Sequence, residues 1–101
     1  MVTPINVFTV EPKDQQRLVD LLTRATEGFV TRAPGFLSAT LHRSLDGTKV
    51  TMVSQWASQA DYEAMRRDPG PLPLFQEALT FAKFEPGMYE VAGRFVPVGG
   101  Q

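Results

Sequence analysis

Residues 34–56, PGFLSATLHRSLDGTKVTMVSQW, decide the fold. Phe36 to Ser44 and Lys49 to Trp56 are rich in strand formers, and Leu45-Asp46-Gly47-Thr48 between them supplies a turn in which Gly47 is free to take a positive φ. The stretch predicts a β-hairpin, and Pro34-Gly35 stops the helix expected before it. On the first strand Leu37, Ala39 and Leu41 alternate with Ser38, Thr40 and His42. On the second, Val50, Met52, Ser54 and Trp56 share one face, and Thr51, Val53 and Gln55 the other. Neither face of the second strand is plainly polar, so the sheet needs helices on one side and a cover, such as a partner subunit, on the other.

Working outward, Ile5 to Val10 reads as a first strand, with Ile5, Val7 and Thr9 on one face and Asn6, Phe8 and Val10 on the opposite one. Glu11-Pro12-Lys13-Asp14 then opens a helix, because proline and acidic residues suit a first turn. From Gln15 to Arg32, Leu18, Leu21, Leu22, Ala25 and Phe29 recur at helical spacing, with Gln16, Asp20, Arg24 and Glu27 off the stripe. After the hairpin, Ser58-Gln59-Ala60-Asp61 carries an N-cap and an acid three residues on, predicting a short helix to about Arg67. Arg66 and Arg67 suit the negative end of that helix. Asp68-Pro69-Gly70-Pro71-Leu72-Pro73 breaks it, and Leu74 to Ala82 predicts a further helix. Glu85-Pro86-Gly87 reads as a turn, Met88 to Val96 as the last strand, and residues 97–101 as a loose tail. The order β-α-β-β-α-β is the ferredoxin-like split βαβ arrangement in a single α+β domain over residues 1–101. Its helix-free face keeps apolar residues from Val7, Val53 and Val91 or their neighbours. A face of that kind predicts an interface, with two sheets packed as a dimeric α+β barrel and the chain as a homodimer.

Composition narrows the chemistry. A chain of 101 residues with a formal net charge of −1 has room for one modest core and no basic stripe for nucleic acid. No apolar run approaches the roughly 20 residues of a membrane span, and Met1-Val2-Thr3-Pro4 has neither the basic start nor the apolar core of a signal peptide. Cysteine is absent, which fits a reducing, cytoplasmic setting and removes thiolate catalysis. With one histidine and no carboxylate cluster, neither a metal site nor a catalytic triad is expected. The glycines are scattered among turns, so no phosphate-cradling loop exists.

Four features together resemble a known family: Asn6 on the first strand, PGF at 34–36, SATLHRSLDGT at 38–48, and QWASQADYEA at 55–64. The chain resembles the antibiotic biosynthesis monooxygenases, whose protomers pair as dimeric α+β barrels. It looks most like the cofactor-free branch that turns anthrones or naphthacenones into quinones in polyketide tailoring. Trp56 and Tyr62 match pocket positions of that branch. Met52 stands where the branch carries an asparagine, and Gln76 where it carries an arginine. The haem-degrading branch shares Asn6 and Trp56, but its axial histidine falls within LFQEAL at 74–79, where this chain has none. A third group comprises small barrels of unknown substrate, including quinol oxygenases.

The resemblance implies a cofactor-independent, quinone-forming monooxygenase of secondary metabolism, with molecular oxygen as co-substrate and a small aromatic substrate supplying the electrons. Its catalytic donors would be Asn6, Trp56 and Tyr62, with Gln76 as a further polar contact and Phe8, Met52, Leu74, Phe75 and Phe81 as walls. Each residue also has a plainer reading: Trp56 is a natural core anchor, Tyr62 and Gln76 suit a helix surface, and Asn6 could pair with a neighbouring backbone group. His42 falls on the polar side of its strand, and it remains a candidate base only because its ordinary titration lies near neutrality. The alternatives are a non-catalytic dimeric barrel that binds an aromatic ligand and a haem-binding relative.

Overall fold

The computed structural model describes residues 1–99, and its architecture follows from the central hairpin. β2 (Phe36–Arg43) and β3 (Lys49–Trp56) pair antiparallel, with Leu41 opposite Met52 and Ala39 opposite Ser54. The turn is locked by its own side chains. The Ser44 hydroxyl accepts from the Thr48 and Lys49 N–H groups at 3.1 and 2.8 Å. The Asp46 carboxylate accepts from the Thr48 N–H at 3.0 Å and the Thr48 hydroxyl at 2.7 Å, and Gly47 takes φ 82°.

β1 (Thr3–Thr9) pairs antiparallel with β3, Asn6 facing Met52 and Phe8 facing Val50, and β4 (Lys83–Tyr89) pairs with the other edge of β1. The sheet order is β2-β3-β1-β4, the α+β ferredoxin-like arrangement. α1 (Gln15–Gly28) crosses from β1 to β2, while α2 (Gln59–Arg66) and α3 (Leu72–Leu79) fill the crossover from β3 to β4. The helices pack on the face presenting Phe8 and Val50, where Val10, Leu18, Leu21, Leu22 and Ala78 complete a buried core. Removing each leucine-sized side chain from water there contributes roughly 1.5–3 kcal/mol. On the opposite face Ile5, Val7 and Val53 are only half-buried, among Thr40, His42, Thr51 and Gln55.

The capping motif forms as expected: the Ser58 hydroxyl accepts from the Asp61 N–H at 3.1 Å. Several boundaries differ. Regular helix ends at Gly28, a poor helix residue, and a short 3-10 turn (Val30–Arg32) follows. Phe29 is therefore exposed rather than part of the buried stripe. A bulge at Leu37 breaks the alternation of β2, so Leu37 points out of the core while the Phe36 ring meets the Trp56 ring at 5.3 Å. α3 starts at Leu72 rather than Leu74, because Pro73 falls in a first turn that needs no donated N–H. Glu85-Pro86-Gly87 is no turn but the middle of β4, and proline is tolerated there because β4 is an edge strand. The ladder between β1 and β4 ends at Thr3 opposite Tyr89, two residues from the start of the chain, and the segment after Tyr89 expected as a strand runs irregularly. Of the expected tail, residues 100–101 lie outside the described residues.

Candidate active site

Between the sheet and the three helices lies an open cavity of about 170 Å³. The sheet supplies its floor through Asn6, Phe8, Ala39, Met52, Ser54, Trp56 and Phe84. Leu22, Ala25 and Thr26 of α1 form one wall, and Tyr62, Met65 and Arg66 of α2 with Leu72 and Phe75 of α3 form the other. The register explains the floor. Asn6, Met52 and Leu41 stand across from one another on three neighbouring strands, so their alternation turns Asn6 and Met52 to the helix side together.

The polar groups converge on one atom. The Tyr62 hydroxyl oxygen accepts from Asn6 Nδ2 at 3.0 Å and from an Arg66 guanidinium N–H at 3.1 Å. A phenol oxygen with both lone pairs engaged still has its own proton to donate. Asn6 Oδ1 is buried and has no protein partner, which leaves one unmet acceptor beside one available donor. The Arg66 guanidinium carbon lies 5.2 Å from the Phe75 ring centre, 5.4 Å from Phe84 and 5.9 Å from Tyr62, within reach of cation–π attraction. Phe8, Phe75 and Phe84 form a cluster with centroids 4.9–6.2 Å apart, Phe75 edge-on to the other two rings and Phe8 tilted against Phe84. Trp56 is fully buried, its ring edge-on to Tyr62 at 5.6 Å, and its indole N–H donates to the Ser54 hydroxyl at 3.2 Å. That N–H, expected to serve a substrate, is engaged within the protein.

Six of the expected residues thus gather here: Asn6, Trp56, Tyr62, Phe8, Met52 and Phe75. Three do not. Leu74 and Phe81 pack against the leucine core of α1, and Gln76 points to solvent, because α3 turns only its Leu72 and Phe75 side to the cavity. His42 lies on the opposite sheet face, where its Nε2 is 3.0 Å from the Thr40 hydroxyl, so the sheet separates it from the cavity. Among the described residues no three His, Asp or Glu side chains gather as metal ligands. No described helix is long and apolar enough to cross a membrane. Arg66 is the residue that sequence reasoning assigned only to a helix terminus. Its spacing of four from Tyr62, which puts both on one face of α2, was the available signal.

Comparison with known proteins places this geometry. Residues 1–78 match the family described as antibiotic biosynthesis monooxygenase. The chain is 40% identical over 95 residues to the tetracenomycin-F1 monooxygenase of Streptomyces glaucescens, covering 94% of this chain and 85% of that protein. A monooxygenase from the gene ActVA-Orf6 of Streptomyces coelicolor, solved with the ligand nanaomycin D, superposes with a TM-score of 0.83 at 29% identity, over 95% of this chain and 91% of that one. SnoaB, a cofactor-independent oxygenase from Streptomyces nogalater, superposes at 0.78 with 26% identity, over 95% and 96% of the two chains.

Proposed function

The chain belongs to the antibiotic biosynthesis monooxygenase family, and from that membership we propose that it is a cofactor-independent monooxygenase converting a polycyclic anthrone or phenol to a quinone. The carrying observation is the Asn6–Tyr62–Arg66 cluster set at one side of an aromatic-walled cavity. An apolar cavity of about 150 Å³ holds one benzene ring. At about 170 Å³ the cavity therefore holds the reacting end of a fused-ring substrate, with the other rings projecting through its mouth.

The substrate supplies the electrons. Loss of a proton from the ring CH₂ to a water molecule of the open cavity leaves a carbanion delocalised onto the ring oxygen. One electron passes to O₂, and the resulting radical and superoxide combine to a peroxide, which takes up a proton. Removal of the second C–H proton then breaks the O–O bond, releasing water and leaving the C=O, so that CH₂ and O₂ become C=O and H₂O. The protein's tasks are to stabilise the anion with fixed donors and to hold the rings away from water. Tyr62 donates to the ring oxygen, Asn6 offers Oδ1 to a substrate hydroxyl, and Trp56 fixes the Tyr62 ring through their edge contact. Phe8, Met52 and Phe75 are the apolar walls. The working unit is a homodimer closed through the Ile5–Val7–Val53 face.

Oxygen uptake by metal-free protein on the anthrone dithranol, corrected for autoxidation, tests this reading. Uptake above the blank is expected, reduced about 10²-fold in Tyr62→Phe, the usual consequence of deleting an anion-stabilising donor. Trp56→Phe is expected to slow turnover less. Full turnover in both variants, or none in the wild type, rejects the assignment.

A further inference from the structure

Arg66 is a cation at the rim of the cavity with an unusual set of neighbours. Its own helix provides the Tyr62 hydroxyl, which takes one of its N–H groups. α3 and β4 provide the Phe75 and Phe84 rings. Asp68, in the connection between α2 and α3, is the other charged residue lining the cavity, and its carboxylate accepts the Gly70 N–H at 2.9 Å. Among the described residues the ion pairs are Lys13–Glu11 and Arg17–Glu77, and no carboxylate pairs with Arg66. A guanidinium has five N–H donors in a rigid plane and keeps its charge throughout the working pH range. Here one donor serves Tyr62 and the guanidinium carbon lies 5.2–5.9 Å from three ring centres, which leaves N–H groups and a full positive charge uncommitted by any anion of the chain.

We propose that Arg66 is a catalytic residue that holds the ionised ring oxygen of the substrate, the cation coming from α2 while Gln76 of α3 stays in solvent. The inference rests on the monooxygenase reading and adds to it the residue whose charge holds the substrate as its anion. The oxygen atom sits between the Tyr62 O–H and a free Arg66 N–H, because both groups already meet at one point. The charge favours the anion that must give up the first electron, and as rings fill the cavity and displace water that attraction strengthens. The plainer role of Arg66, complementing the negative end of α2, predicts an effect on stability and none on the protonation state of a bound ligand.

The test uses alizarin, a hydroxyanthraquinone whose visible absorption moves to longer wavelength when its hydroxyl ionises, so that the protonation state of the bound dye is read directly. With wild-type protein saturating the dye, its ionisation midpoint is expected to fall by about one pH unit relative to free dye, equivalent to about tenfold tighter binding of the anion. That is the lower end of the effect of an opposite charge nearby, because Arg66 is partly in solvent. Arg66→Gln should lose the shift, and Arg66→Lys should keep part of it. Arg66→Met, which keeps an apolar stem against Phe75 and Phe84, should lose the shift while still binding neutral dye. Added salt should reduce the wild-type shift. If wild type consumes oxygen on dithranol but Arg66→Gln and Arg66→Met shift the dye as wild type does, the role of Arg66 is overturned and the monooxygenase assignment stands. If wild type neither consumes oxygen nor binds the dye, the assignment itself fails, and the role of Arg66 with it.

Discussion

Tyr62 and Asp46 show how differently single residues use the same bonds. The Tyr62 oxygen accepts two bonds inside the cavity, and in the proposed reaction its own proton is left to donate to the substrate. Asp46 is fully exposed, and its bonds serve the hairpin alone. The Thr48 hydroxyl, the Thr48 N–H and the Ser44 hydroxyl, with the charge of Lys49, lower its pKa from the ordinary 3.8 to about 2. A carboxyl whose folded value is depressed contributes stability that is fully present above its unfolded value and is lost as pH falls through the folded one. The hairpin should therefore weaken between about pH 4 and pH 2. A carbon-detected NMR titration of the Asp46 carboxyl should show its inflection near 2. Asp46→Asn, which retains an acceptor oxygen, should remove that part of the acid-side dependence of the melting temperature; an unchanged dependence would show that the turn draws nothing from the charge. The same turn was legible from sequence because its partners lie within five residues. Arg66 was not, because its contacts with Phe75 and Phe84 depend on how α3 and β4 return to the sheet.

At the scale of elements, α2 carries the site, and its placement depends on Gly35. That residue closes the turn into β2 at φ +84°, a conformation costing an L side chain about 1–2 kcal/mol, and its carbonyl accepts the Ala57 N–H at 2.8 Å. A Cβ at Gly35 would overlap the Asp61 carboxylate in the first turn of α2. Gly35→Ala should thus lower the melting temperature by at least about 4–8 °C. It should also displace α2, so that Asn6–Tyr62 contact and oxygen uptake fall together. A variant that melts lower but turns over normally would show that α2 is placed by its packing alone. The hairpin, the α1 stripe and the Ser58 cap were readable because local chemistry settles them. β4 was not. Glu85-Pro86-Gly87 has the composition of a turn, yet pairing with β1 on an edge strand overrides local preference. The same limit explains the wall residues. Periodicity marks Leu74, Phe75 and Phe81 alike as apolar; the rotation of α3 sends Phe75 to the cavity and Leu74 to the core, and Phe81, two residues past the end of α3, packs on the core as well.

In the whole molecule, the sheet divides two environments. Its helix face holds the core and the cavity; its other face carries Ile5 beside Val53, with Val7 two residues along, all half-buried among threonines and Gln55. An antiparallel sheet can present a polar face to water, but that face then alternates cleanly, and here three β-branched apolar residues interrupt it. Burial of that strip against a second copy would also stiffen the floor of the cavity from behind, because Val53 and Met52 are neighbours on β3 and Ile5 and Asn6 neighbours on β1. Sedimentation should therefore give twice the 11.2 kDa chain mass at micromolar concentration. Val53→Glu places a charge at the centre of the strip without touching a cavity-lining side chain, and it should shift the protein toward the monomer. Oxygen uptake should fall with the dimer fraction, and raising the protein concentration should restore both. A monomeric wild type with full turnover would show that the cavity works without its partner and that the apolar strip serves some other contact.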